Sequence, residues 1–315
     1  MLPGSIPSPD PAWSQIALGP LTVHTYALCL LAAIAAATVF TQRRLRSRGA
    51  QGDVTLDVVI WAVPCGIVVA RIYHVLTHLG DYTGPDSDPW EWLRIWEGGI
   101  AIFGSILGGA LGVYIGCRLT GLRFWSFADA VAPALLLGQA IGRLGNYVNQ
   151  ELFGSPTTLP WGLEVSPDAP MFPDGMAAGT LFHPLFLYEM LWNLLGIAVL
   201  LGLERASARR TAARIGTGLR VGAGLRWGRL FALYLVWYGL GRSWLEALRI
   251  DPTSNAPLGV PVNLWTAVGA VLLGVAIFVV QGRRHPEPET SVYVPGREPD
   301  EDSPSEPAPQ AAGTA

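Results

Sequence analysis

The chain has 315 residues and a mass of 33.7 kDa, half of them hydrophobic and only 14% charged, with mean hydropathy +0.36 and net charge −3. Soluble domains carry about 25% charged residues, so this composition excludes a disordered chain, a nucleic-acid binder and most soluble enzymes, and points to a polytopic membrane protein. All 21 basic residues are Arg, which removes Schiff-base and Walker-lysine chemistry, and Cys29, Cys65 and Cys117 sit in apolar stretches without metal or CxxC spacing.

Residues 1–20 lack Lys and Arg and carry Pro at 3, 7, 9 and 11. They read as an exposed leader with an interfacial stretch over 13–18, not as a signal peptide. Apolar segments follow at 21–41, 54–76, 98–117, 127–142, 183–203, 229–248 and 263–281. A spanning helix needs about 20 apolar residues. The fold class expected is an all-α integral membrane protein with about seven transmembrane helices over residues 21–282.

Arginine placement orients these segments. Arg43, Arg44, Arg46 and Arg48 follow the first, and Arg118 and Arg123 the third. Arg205, Arg209, Arg210, Arg214, Arg220, Arg226 and Arg229 lie between the fifth and sixth, and Arg283 and Arg284 follow the seventh. The alternate loops hold Asp81, Asp86, Asp88 and Glu91 instead and carry little Arg, with Arg94 in one and Arg249 in another. The positive-inside rule then places the N-terminus outside and the C-terminus in the cytoplasm. Residues 155–182 become an external loop and 204–228 a basic cytoplasmic loop. Residues 283–315, rich in Pro and acids, are expected to form a disordered, dispensable tail.

Arg71, Arg143 and Arg242 fall within or at the end of apolar segments, as do Asp129, Glu151, Glu189 and Glu246. A charge at bilayer depth costs at least about 2.5–3.5 kcal/mol, so such residues tend to face the interior, paired and functional. Tyr238, Arg242 and Glu246 recur every fourth residue on one helical face. One such pair can simply glue helices together. Three arginines toward the same outer side fit a phosphate better, because the guanidinium fork matches phosphate oxygens and never deprotonates. The residues alone thus reach a binder of anionic phospholipid.

The densest polar stretch runs from Gly142-Arg143-Leu144-Gly145-Asn146 through Tyr147-Val148-Asn149-Gln150-Glu151 to Leu152-Phe153-Gly154. Its two early glycines suggest an irregular backbone after a short fourth span. Polar density there is tolerated only where it lines a cavity or the protein interior.

This run resembles the signature G-R-x-G-N-x-x-N-x-E-x-x-G of the prolipoprotein diacylglyceryl transferase family. Further elements match in order over roughly residues 15–282: Gly19-Pro20 with Tyr26-Ala27-Leu28, the arginine element Val68 to Tyr73, Trp96-Glu97-Gly98-Gly99-Ile100, His183-Pro184 to Leu187-Tyr188-Glu189, and Tyr238-Gly239-Leu240-Gly241-Arg242 with Glu246. The resemblance implies that phosphatidylglycerol donates its sn-1,2-diacylglyceryl group. The acceptor would be the lipobox cysteine thiol of a prolipoprotein signal peptide, and glycerol phosphate would be released, in the bacterial cytoplasmic membrane. No metal or other cofactor is implied. Arg143 and Arg242 would meet the phosphate, with Asn146 and Asn149 as orienting donors and Gly154, Tyr238 and Arg71 completing the substrate site. Many family members carry a histidine where Phe103 stands here, and Phe cannot take a proton. Either no base is obligatory or it lies among Glu151, Glu246, His183 and Tyr26, with Glu151 first because it shares the signature with Arg143. A transporter or binder of anionic phospholipid is the alternative. The chain shows no internal repeat of the kind transporters carry, and no Asp-rich motif of a CDP-alcohol phosphotransferase.

Overall fold

The structure, a computed structural model, describes residues 4–19, 21–83, 88, 90–215, 224–250 and 257–299. Pro3, Pro20, Asp86, Arg220 and the stretch from 300 onward, which entered the sequence reading, lie outside these residues. Eight α-helices follow in chain order: α1 Thr25–Arg46, α2 Val54–Thr77, α3 Leu79–Tyr82, α4 Ile102–Thr120, α5 Phe124–Val148, α6 Leu185–Ile215, α7 Arg229–Glu246 and α8 Val262–Arg284. Four short strands pair as two antiparallel hairpins, β1 Gln15–Leu18 with β2 Leu21–His24 and β3 Leu163–Glu164 with β4 Leu181–Phe182. The chain divides into two compact units, residues 1–48 with 125–290 and residues 49–124 with 291–315.

Among the described residues, six helices are long and apolar enough to cross a membrane: α1, α2, α4, α5, α6 and α8. The sixth expected span, α7, has 18 residues but carries Arg229, Arg242 and Glu246. Its charges, not its length, set it apart. The fourth span also differs from its expected 127–142. It is a full helix of 25 residues that runs through Gly142 and Gly145 to Val148, so the first half of the signature is helical. Gly145 is used for packing, since a Cβ there would stand 2.6 Å from the Tyr26 ring. That close approach offsets the roughly 1 kcal/mol a helical glycine costs.

In the first unit, Ala132, Leu136, Leu200, Leu230 and Tyr234 form a buried core joining α5, α6 and α7. At one end of it, the Asp129 carboxylate accepts from the backbone N–H groups of Gly228 (2.8 Å) and Phe231 (2.9 Å). An acid is favoured there because the first N–H groups of a helix lack intrahelical partners. Beside it Glu204 pairs with Arg44 (2.9 Å), Arg48 (2.7 Å) and Arg226 (3.4 Å). Burial pushes the Arg226 guanidinium down to about 10, and the charge of Arg48 acts in the same direction. At the other end, Phe153, Leu163, Val165, Phe182 and Phe186 form a second cluster, with Phe172 packed against it.

That second cluster gives residues 155–182 an apolar core. The loop is a small folded cap. The leader is likewise built into this unit instead of being merely exposed. Ile6 donates to Gly162 (2.9 Å) and accepts from Glu164 (2.9 Å), and Tyr147 Oη donates to the Pro7 carbonyl (2.9 Å). The segment after α8 also departs from a disordered tail as far as it is described. Glu289 is buried and accepts from Ser126 Oγ.

In the second unit α2 and α4 run antiparallel in close contact. Gly104, Gly108, Gly112 and Gly116 repeat every fourth residue along α4 and are all buried. A Cβ on them would stand 2.6 Å from Ala70 Cα, 2.3 Å from the Cys65 carbonyl, 2.3 Å from the Trp61 carbonyl and 2.7 Å from Val58 Cα. Val292 and Tyr293 are buried in this unit, and Tyr293 Oη accepts from the Gln51 N–H at 2.9 Å.

Candidate active site

The site is assembled in the first unit from the C-terminal end of α5, the turn after it, and α6, α7 and α8. Arg143 lies one turn before Asn146 on α5, and its Nη1 donates to Asn146 Oδ1 at 2.8 Å. The Asn146 amide donates in turn to Glu151 Oε1 at 2.8 Å, and Asn149 reaches the same oxygen at 3.4 Å. Both amides thus converge on one carboxylate oxygen.

Glu151 is held there by an unusual turn. Its neighbours Gln150 (φ 52°) and Leu152 (φ 56°) both adopt left-handed backbone, a conformation that costs non-glycine residues free energy and clusters at functional sites. Gln150 is locked by its side chain. Its Oε1 accepts from Ser8 Oγ (2.7 Å) and the Ser166 N–H (2.8 Å), while its Nε2 donates to the Pro9 carbonyl (3.2 Å). The folded leader and the cap thus fix the turn that aims Glu151.

A chain of ion pairs links this group to two other helices. Arg143 Nη2 lies 2.5 Å from Glu189 Oε2 on α6. The other oxygen of Glu189 faces Arg242 Nη1 on α7 at 3.7 Å. Arg242 Nη2 pairs with Glu246 Oε2 at 3.0 Å, and Asn263 on α8 donates to Glu246 Oε1 at 3.0 Å. Two guanidiniums are thus bridged by one carboxylate. Glu246 is the most buried of the set, with its side chain 4% exposed, whereas Arg143 is the most open at 24%. Arg143 is therefore the more accessible of the two guanidiniums.

The remaining expected residues fall into three groups. His183 and Tyr26 border the cluster. His183 Nδ1 lies 3.2 Å from Tyr188 Oη, which also accepts from Trp161 Nε1 at 3.1 Å, so the histidine ties the cap to α6. Tyr26 packs on Gly145. Tyr238, one turn before Arg242, is partly exposed with its ring stacked near Tyr234 at 6.3 Å between centroids. Gly154 is packed through its backbone. Its N–H donates to the His183 carbonyl at 2.9 Å, and a Cβ there would meet the Leu248 carbonyl at 2.8 Å.

Arg71 is engaged with backbone carbonyls. It belongs to the second unit, where Nε donates to Trp92 O (2.8 Å), Nη1 to Gly98 O (2.7 Å) and Gly99 O (3.2 Å), and Nη2 to Glu91 O (2.7 Å). Four of its five N–H groups are spent on carbonyls that shape the loop between α2 and α4. Phe103 lies at the second position of α4, its ring centroid 6.4 Å from that of Tyr73.

Sequence reasoning missed Glu189 as a site residue, although it had marked it as an acid in an apolar segment. It also missed Asn263, Gln150 and Tyr188. The signal for Glu189 was its place beside Tyr188 after His183-Pro184. Among the described residues, no group of His, Cys, Asp and Glu is arranged to hold a metal ion.

A helical, multi-pass membrane protein with a partly open pair of bridged arginines and adjoining carboxylates belongs among proteins that handle anionic lipids within the bilayer. The comparisons narrow this class. Residues 14–280 match the family model for prolipoprotein diacylglyceryl transferase, and the chain belongs to that family. A phosphatidylglycerol–prolipoprotein diacylglyceryl transferase of Leifsonia xyli is 54% identical over 303 residues, covering 93% of this chain and 86% of its own length. Proteins of the same name from Bifidobacterium adolescentis (44% identical, 86% and 79% covered) and Streptomyces coelicolor (42%, 91% and 85%) are also similar.

Proposed function

We propose that this chain transfers the sn-1,2-diacylglyceryl group of phosphatidylglycerol to the lipobox cysteine thiol of prolipoproteins, at the outer face of a bacterial cytoplasmic membrane. This is the first step of lipoprotein maturation. The family supports the reaction, and one observation carries its placement in this chain: Arg143 and Arg242 bridged by Glu189 beside Glu151.

The substrate's sulfur attacks the sn-3 carbon of the diacylglyceryl group. A C–S bond forms, the C–O bond to phosphate breaks, and its electron pair leaves on glycerol phosphate. Negative charge grows on the phosphate oxygen as that bond breaks. Arg143 and Arg242, already oriented by Glu189, stabilise it without reorganising at the moment of reaction. The attacking form is the thiolate, and a free thiol has a pKa of about 8.5. Glu151 takes the proton. Its two amide donors hold it in place, and the field of the guanidiniums adds to its action by stabilising the thiolate. Glu246 holds Arg242, His183 holds the cap, and Tyr26 shapes α5 at Gly145.

The test is direct. The purified protein is reconstituted in phosphatidylglycerol liposomes with a lipobox peptide carrying one Cys, and the peptide mass is followed. A diacylglyceryl adduct that disappears in Arg143→Ala establishes the reading. No adduct from folded wild type, with an active family member as control, overturns it and favours binding or transport of anionic phospholipid.

A further inference from the structure

A second lipid-sized feature lies in the same unit, running along α1 from beside the middle of α5 toward Arg43. An apolar groove of about 510 Å³ is lined by Ala35, Ala36, Val39 and Phe40 of α1, Leu137 of α5, and Arg43. It lies beside the place where α1 meets α5, with Ala33 and Ala37 against Gly138. Its size falls within the ~300–1,000 Å³ of ligand pockets.

Its position along the bundle is fixed by a neighbour. Arg44 donates to the carbonyls of Asp129 (3.3 Å) and Ala130 (3.0 Å) at the start of α5. Arg143 sits near the other end of that helix, about 20 Å along the axis at 1.5 Å per residue. The groove therefore serves the opposite side of the membrane from the reaction.

The chemistry of the rim identifies the occupant. Arg44 and Arg48 are both engaged by Glu204. Arg43 faces out, and its side chain makes no ion pair or hydrogen bond among the described residues. Leu30, Leu31 and Ile34 are exposed on the same helix, as they would be against lipid. An unengaged guanidinium at the headgroup end of an apolar groove calls for an amphiphile that lays an acyl chain in the groove and an anionic group on the arginine. We propose that this groove binds one anionic phospholipid of the leaflet opposite the catalytic site, an acyl chain lying over Ala35 and Ala36 and the phosphate on Arg43.

The experiment uses the full chain in vesicles containing phosphatidylglycerol with a photoreactive group on its acyl chain. Arg143→Ala is the background, so that lipid at the catalytic site does not obscure the result. Cross-linked peptides are mapped by mass spectrometry. Labelling is expected within 35–43 and at Leu137. It should fall about fivefold in Arg43→Gln, the worth of one arginine near an anionic headgroup, and be restored by Arg43→Lys. Phosphatidylcholine bearing the same probe should label about fivefold less. Equal labelling by phosphatidylcholine, indifference to Arg43→Gln, or labelling confined to other segments would each overturn the proposal. Arg43 is exposed and outside the catalytic cluster, so Arg43→Gln should fold and retain transfer activity.

Discussion

Removing the Glu189 carboxylate would leave Arg143 and Arg242 as two like charges without the group that spaces them. Glu189→Gln keeps the size but not the charge, and both arginines lose their shared partner. Its kcat/KM should fall by about 10²–10³, the cost of losing one preorganised charge-stabilising contact. The measurement is adduct formation at varied phosphatidylglycerol, and near-wild-type kinetics would remove Glu189 from the machinery. Arg71→Ala should behave differently. It releases four carbonyls in the loop between α2 and α4, so the variant should lose several degrees of Tm, and Arg71→Lys should rescue little because an ammonium cannot fork toward three directions. An unchanged melt in Arg71→Ala would return Arg71 to direct substrate contact. Of these residues, Arg143, Asn146 and Glu151 were legible because they lie within nine positions of one another. The partnership of residues 143, 189 and 242 is not written in any local spacing, since three separate helices make it.

Helix existence was readable from apolar runs, but helix packing follows from residues that add no hydropathy. The signature glycines suggested a break after 142. Instead Gly145 lets Tyr26 approach a continuous α5, while the irregular backbone falls on Gln150 and Leu152, which no propensity marks. The α4 repeat of Gly104, Gly108, Gly112 and Gly116 was visible in the sequence as a small-xxx-small pattern, the kind that lets membrane helices approach closely. A side chain at Gly112 would be driven into the Trp61 carbonyl, which is backbone and cannot swing aside. Gly112→Leu should therefore force α2 and α4 apart and cost at least about 1–3 kcal/mol, the scale of overpacking. Gly109→Leu is the control, because a Cβ there meets nothing within 4 Å. Thermal unfolding in detergent compares the two, and equal melts would mean that the α2–α4 contact contributes little.

The whole molecule depends on its termini more than composition implies. Ending the chain at residue 285 removes Glu289, Val292 and Tyr293, all buried. Burial of a Val-sized or larger side chain contributes about 1.5–3 kcal/mol, so this truncation should lower Tm by at least about 5 °C. Ending at residue 299 keeps every contact described here and should leave Tm unchanged. The membrane topology follows from packing as well as charge. Gly239 lies against Ala267, and Gly274 against Ala232, so α7 and α8 run antiparallel along most of their length. A helix paired in this way with an apolar span crosses where its partner crosses, whatever charges it carries, because Arg242 and Glu246 neutralise each other inside the bundle. On this argument seven crossings are expected, with the N-terminus outside. Single cysteines placed at the exposed positions Asp168, Ala206 and Glu287 test this, after Cys29, Cys65 and Cys117 are replaced by Ala. An impermeant maleimide added to whole spheroplasts should label Asp168→Cys alone, with the other two reacting only after permeabilisation. Labelling of Glu287→Cys from outside would mean that α7 does not cross. A full reversal would mean that the arginines closing α1 and α6 face outward.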